Sequence, residues 1–194
     1  MKKTLFLLIT ISIVMPSLAQ NHTKPAFLGV NFFLNDFSAP KTIHSNGLAY
    51  VVRNKQLFKP ANMTPGLTVS YLDGLSEHVD LNLSLGGSFI DYPLRNTALS
   101  GNDHLLLEAN GEVNIKLLSD KYFFTPYIQV GIGASKYRDL WAAYMPLGVG
   151  MQFNFSNDAF LLVNSQYRAS VSENSTGHFY YSVGIAGPIG KKKQ

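Results

Sequence analysis

The sequence predicts an all-β fold, with eight antiparallel strands closed into an up-and-down transmembrane β-barrel. Three observations carry this prediction. Apolar and polar residues alternate with a period of two in segment after segment. The links between the segments alternate between long and short, as in membrane barrels with long outer loops and short periplasmic turns. The polar side of the segments is rich in glycine and short amides, which suits the interior of a narrow barrel better than a wet face. No stretch shows a sustained helical period, and no internal repeat goes beyond the hairpin rhythm.

The first predicted strand covers residues 27–35, with Leu28, Val30, Phe32 and Leu34 on one side. The second covers 64–72, with Leu67, Val69 and Tyr71. The third, 78–90, sets Val79, Leu81, Leu83, Leu85 and Phe89 against Asp80, Asn82, Ser84, Gly86 and Ser88. The fourth, 105–117, sets Leu107, Val113 and Ile115 against Glu108, Asn110, Glu112, Asn114 and Lys116. The fifth, 124–135, sets Ile128, Val130 and Ile132 against Gln129, Gly131 and Gly133. The sixth, 144–155, sets Met145, Leu147, Val149 and Met151 against Tyr144, Gly148, Gly150, Gln152 and Asn154. The seventh, 159–169, sets Leu161, Val163 and Tyr167 against Asn164, Gln166 and Arg168. The eighth, 179–188, sets Phe179, Tyr181, Val183 and Ile185 against Tyr180, Ser182 and Gly184.

The expected links run as follows: a long segment at 36–63, a tight turn at 73–77 containing Asp73-Gly74, a loop at 91–104, a turn at 119–123, a loop at 136–143, a turn at 156–158 and a last loop at 170–178. Aromatic residues gather at segment ends, among them Phe32 and Phe33, Tyr137, Trp141 and Tyr144, Phe155 and Phe160, and Phe179 to Tyr181. Two interfacial girdles would place them there. Pro65, Pro126, Pro146 and Pro188 also fall near segment ends, where a closed sheet tolerates proline.

Composition agrees with this pattern. Charged residues make up only 14% of the chain, against about a quarter in soluble domains, yet the mean hydropathy is only +0.05. Five of the 16 basic residues lie in the two tails, which leaves 11 against 12 acidic residues in the body. Nothing in this balance points to nucleic acid. The chain has no cysteine, so a disulfide framework is excluded.

The amino terminus reads as a secretory signal peptide. Lys2 and Lys3 precede an apolar core at 5–14, Met15-Pro16 ends it, and Ser17, Leu18 and Ala19 are followed by the expected cleavage after Ala19. The expected organisation is therefore a signal peptide at 1–19, a barrel at 20–190 and a basic periplasmic tail at 191–194. The barrel places both termini in the periplasm of a Gram-negative bacterium, with the chain in the outer membrane.

The stretches DKYFFTPYIQVGIGASKY (120–137), MPLGVGMQFNF (145–155), AFLLVNSQYR (159–168) and HFYYSVGIAGPIGKKK (178–193) resemble the N-terminal barrel of OmpA-type outer-membrane proteins. The resemblance rests on glycine and aromatic placement and covers nearly the whole mature chain. It implies an eight-stranded barrel inserted from the periplasm. Many members carry a peptidoglycan-binding domain after the barrel. This sequence stops at Gln194, so that activity is not carried over.

Two sets of residues are candidates for function. The alternation points Asp80, Glu108, Glu112, Lys116, Gln129, Gln152, Gln166 and Arg168 into the barrel. Charges buried there must be paired, so Lys116 and Arg168 are expected to pair with some of Glu108, Glu112 and Asp80. The expected result is a plug, with a narrow pore as the alternative. The long segment at 36–63 carries Lys41, His44, Arg53, Lys55 and Lys59, with Asp36 as its only acid. At a cell surface it would meet lipopolysaccharide phosphates or anionic glycans, against a plain reading as a solvated loop; the barrel itself would have outer-membrane lipid as its partner.

No catalytic constellation appears. His22, His44, His78, His104 and His178 fall in the extension, loops, turns or strand ends. His178 and Ser182 lie about 13 Å apart along a strand. Gly131 to Ser135 is no nucleotide loop, because no helix follows. No enzyme, metal or cofactor is expected, and the chain is expected to be a monomer. Two further readings stay open: a transporter of small or hydrophobic compounds, and a soluble lipocalin-like carrier with its leucines inside.

Overall fold

Eight alternating segments bury their polar sides in common when the sheet closes on itself. The computed structural model, which describes residues 24–89, 105–155, 159–172 and 176–189, shows that closure. The strands are β1 (Phe27–Asp36), β2 (Thr64–Ser76), β3 (Val79–Phe89), β4 (Leu105–Lys116), β5 (Phe124–Tyr137), β6 (Leu140–Phe155), β7 (Ala159–Ser170) and β8 (His178–Pro188). Each pairs antiparallel with its neighbours, and β1 closes the barrel on β8, with Phe27 opposite Pro188 and Asp36 opposite Phe179. Both ends of the barrel chain lie at one rim, the terminal rim. The segment after β1 leaves from the other, the outer rim.

The faces divide as the alternation requires. Leu83 and Leu85 are 46% and 63% exposed while Asp80 is 1% exposed. Leu67, Ile132, Val149 and Ile185 join the leucines outside, and Gln129, Gln152, Gln166 and Arg168 lie inside. A soluble barrel carrying a lipophile needs the reverse. An apolar wall around a polar interior is what a lipid environment selects.

Glycine makes the filled interior possible. Tyr127 stands directly across from Gly150, Tyr144 from Gly133 and Phe33 from Gly66. In each pair a Cβ on the glycine would overlap the ring. Gln166 faces Gly148, and Glu112 faces Gly131. A large inward side chain is accommodated by the absence of one on the next strand.

Several expectations need correction. The segment after β1 is not a plain loop. It holds helices α1 (Ser38–Asn46) and α2 (Leu48–Arg53) and a 3-10 turn at Pro60–Asn62. These are too short to show a helical period. Asp36 nucleates α1, because its carboxylate accepts hydrogen bonds from the backbone N–H of Ser38 and Ala39, both at 2.9 Å. Asp73-Gly74 is not the β2–β3 turn. Both residues pair with β3, the register shifts between Gly74 and Ser76, and the link is Glu77-His78. Gly74 is needed because a Cβ there would come within 2.6 Å of the Lys24 side chain.

The expected loop at 136–143 shrinks to Arg138-Asp139, with Arg138 at φ 54°. Long and short links therefore do not alternate throughout. Here β6 starts at Leu140, ahead of Tyr144, its first residue in the ladder with β7. Pro146 then falls inside β6 instead of near its end. The β5–β6 pairing skips Gly131-Ile132 opposite Met145-Pro146, where proline has no N–H to give. Finally, Phe33, Tyr137, Tyr144, Phe160 and Tyr180 are buried in the interior, so the aromatic clusters at segment ends do not all belong to girdles. The signal peptide, the loop at 91–104 with His104, the turn at 156–158, His22 and the lysine tail lie outside the described residues.

Candidate functional site

The interior is organised in levels along the barrel axis. Near the terminal rim, β3 contributes Asp80, β4 contributes Lys116, and the link after β4 contributes Asp120. Lys116 Nζ lies 2.9 Å from Asp80 Oδ1 and 2.6 Å from Asp120 Oδ2. Lys24, just before β1, enters from below. Its Nζ is 3.0 Å from Asp80 Oδ2 and 3.7 Å from Asp120 Oδ2, and it donates to Gln152 Oε1 at 3.2 Å. The same ammonium sits 4.1 Å from the centre of the Phe160 ring. Burial holds Lys24 below the ordinary lysine range, and Asp80 and Asp120 offset only part of that. Gln152 donates to Asp120 Oδ1 at 2.8 Å and to Asn154 Oδ1 at 2.6 Å. Two ammonium groups and two carboxylates thus interlock around shared oxygens.

The middle level is built of amides. Glu112 Oε2 accepts from Asn82 at 2.9 Å and from Gln129 at 2.7 Å, while Oε1 accepts from Gln166 at 3.2 Å. Gln166 also donates to Gln129 Oε1 at 2.6 Å. Beside this group is a cavity of about 20 Å3 lined by Asn31, Asn82, Asn114 and Gln166 among others. The side-chain oxygens Asn31 Oδ1, Asn82 Oδ1, Asn114 Oδ1 and Gln166 Oε1 have no protein donor. That space holds about one water, with polar partners to receive it.

Toward the outer rim, β7 presents Arg168 to Glu108 of β4, with Nη1 2.7 Å from Oε1. The guanidinium lies 3.7 Å from the centre of the Tyr180 ring and 5.1 Å from that of Tyr144. His178 Nε2 is 3.7 Å from the same Glu108 oxygen, and Asn35 donates to Glu108 Oε2 at 3.4 Å. Tyr144 donates to Asn110 at 2.6 Å. Above these, Leu106 and Tyr137 pack together with Phe37 against them.

The structure therefore gathers the interior candidates into three groups: Asp80, Lys116 and Gln152; Glu112, Gln129 and Gln166; Glu108 and Arg168. Lys116 meets Asp80 and Arg168 meets Glu108, whereas Glu112 is held by amides. Sequence reasoning missed Lys24, Asp120, Asn35 and His178 as members. Lys24 lies before any alternating segment, and Asp120 lies in a link, so periodicity carries no signal for either. His178 ends the expected loop at 170–178, whereas the structure makes it the first residue of β8, and no pattern marks it as buried. The basic candidates of the outer segment are not brought together. Lys41, His44, Arg53 and Lys55 are exposed at separate positions along α1, α2 and the chain after them. Lys59 is half-buried and donates to Gln56 at 2.6 Å.

No protein-family model matches the sequence, and no curated protein does. Solved structures do. The N-terminal β-barrel domain of Pseudomonas aeruginosa OprF superposes with a TM-score of 0.56 at 11% identity, over 86% of this chain and 98% of that one. The outer membrane protein OprG from Pseudomonas aeruginosa gives 0.55 at 9% identity, over 89% and 99%. Neisserial surface protein A gives 0.54 at 8% identity, over 84% and 97%. At such identities the likeness is one of fold. The architecture is the eight-stranded antiparallel barrel of outer-membrane proteins, and the OmpA-type resemblance of the sequence holds at that level.

Proposed function

We propose that this chain is an integral outer-membrane barrel with a plugged interior, and that it acts as a structural or surface-interaction element of the envelope. It works through the segment it presents at the outer rim and conducts no solute. The observation that carries this reading is the interior. Three groups of charged and amide side chains cross it, and the cavity between them is about 20 Å3, too small for a solute path. A transporter of hydrophobic compounds would need a continuous apolar route, and the middle of the interior is crossed by the network of Glu112, Gln129 and Gln166.

On this reading residues 1–19 are removed on export, residues 20–190 form the barrel, and both termini face the periplasm. The monomeric barrel has membrane lipid as its first partner. The basic outer segment, with Lys41, His44, Arg53, Lys55 and Lys59, would meet lipopolysaccharide phosphates or anionic glycans. No catalytic role is proposed.

The test has two parts. The mature chain, folded into detergent, should migrate differently before and after boiling. In planar bilayers it should give no steady conductance. A steady unitary conductance would replace the plug with a narrow pore. A chain that is soluble without detergent and shows no mobility shift would remove the membrane reading altogether.

A further inference from the structure

The lipid-facing wall is not uniform. Ser165 points outward from β7, and its neighbours across the ladder are Val149 on β6 and Tyr181 on β8. One small side chain among large apolar ones leaves a groove with a volume of about 540 Å3, within the range of small-molecule sites. Its walls include Val149, Met151, Val163, Val183 and Phe32.

One wall does not come from the barrel. Phe58, in the outer segment, leans over the groove with its ring edge-on to Tyr181 at 5.1 Å between centres. Phe58 has φ 52°, a conformation that costs energy for a bulky residue and persists only where the surroundings impose it. The segment that carries Phe58 has an unusual surface. Leu48 and Val52 are both 58% exposed, and Tyr50, Leu57 and Phe58 are exposed beside them. Arg53 and Lys55 are exposed among these residues. Residues 37–63 contain no acid. Asp36, at the root of the segment, is buried and spends its carboxylate on the first turn of α1. Exposed apolar and basic side chains without counter-charge, at the edge of an apolar belt, make up an element that lies in an anionic membrane interface.

We propose that the outer segment and the groove beneath it form a binding site for a net-anionic, phosphate-bearing lipid of the outer leaflet. One acyl chain lies in the groove at Ser165 under Phe58. The phosphate meets Lys55 and Lys59, which flank Phe58 in the chain. Lys59 is held by Gln56, and a phosphate oxygen is a stronger acceptor than an amide. This inference rests on the membrane-barrel reading and adds a defined lipid site to it.

The experiment uses the full mature chain folded in a neutral detergent, with lipid retention read by native mass spectrometry. The probes are dimyristoyl phosphatidic acid and dimyristoyl phosphatidylcholine. The wild type should retain the anionic lipid at roughly tenfold lower concentration than the zwitterionic one, as two basic side chains at an anionic headgroup imply. The double variant K55Q/K59Q should lose that preference. Ser165→Phe, which fills the groove, should lower retention of both lipids. If Ser165→Phe does not fold, Phe58→Ala, outside the strands, should lower retention of both in its place. Equal retention of the two lipids by the wild type, or unchanged retention in a folded groove variant, would overturn the proposal. The boiling-dependent mobility shift is recorded for every sample. A wild type that shifts but shows no lipid preference loses only this site, whereas a wild type that does not shift loses the membrane reading beneath it.

Discussion

Arg168 is fully buried in the interior, and what makes this tolerable is Glu108 at 2.7 Å and the two tyrosine faces beside it. Removing the carboxylate leaves the guanidinium without its counter-charge. Glu108→Gln should therefore destabilise the folded barrel by about 3–5 kcal/mol, read as a lower urea midpoint in detergent. The double variant E108Q/R168M should recover much of that loss, since it removes both charges and with them the need for compensation. A double variant no more stable than the single one would show that the pair is not the source. Gly133 tests the opposite failure. Its place is taken by the Tyr144 ring from the next strand, so Gly133→Val should cost about 1–3 kcal/mol or more through overpacking. Adding Tyr144→Ala should return part of it. Additive losses in the two variants would mean that the ring is not what Gly133 accommodates.

Strands respond to substitution by face, and each face tests a different medium. Leu85 and Ser84 are neighbours on β3, one on the wall and one on the inner side. Leu85→Arg puts a charge on the apolar wall and should cost about 2–4 kcal/mol if that position lies near the bilayer midplane. The measurement is the unfolding midpoint in phospholipid vesicles, and a neutral result would argue against lipid at that level. Element boundaries are where sequence reading and structure part most visibly. The β5–β6 hairpin has no glycine at its two-residue link, so Arg138-Asp139 carries no turn signal that composition can reveal. It closes because the ladder on either side, Tyr137 opposite Leu140 and Lys136 opposite Trp141, continues to the last residue. Asp73-Gly74 is the converse case. A strong local turn signal is overridden, because the strands pair through it and Gly74 makes room for Lys24.

For the molecule as a whole, the arrangement is a core turned inside out. The apolar belt faces outward, while the charged and amide groups meet inside, among buried rings such as Phe160 and Tyr180. Lys24 joins β1's approach to Asp80 on β3 and to Gln152 on β6, so one residue ahead of the barrel ties together strands from opposite parts of the chain. Lys24→Met leaves Asp80 and Asp120 sharing the single cation Lys116. It should lower the urea midpoint while leaving the boiling-dependent shift in place, because closure depends on backbone pairing more than on this contact. A variant that no longer shifts would mean that the terminal-rim network is needed for the barrel to close.

The sequence alone determined the strand count, the two faces of every strand, the closed all-β architecture and the inward direction of Glu108, Glu112, Lys116 and Arg168. Period-two alternation is a local property, and a wall of leucine opposite a wall of glycine and amide states its medium without reference to any partner. Only the tertiary structure decided which charge meets which, that Glu112 rests on amides while Glu108 takes Arg168, that Lys24 and Asp120 complete the terminal network, and that Ser165 and Phe58 frame a groove. Those outcomes depend on register between strands, summed around the barrel. Partners such as Lys24 and Gln152 lie 128 residues apart, and no local pattern encodes which residue will stand across from which at that separation.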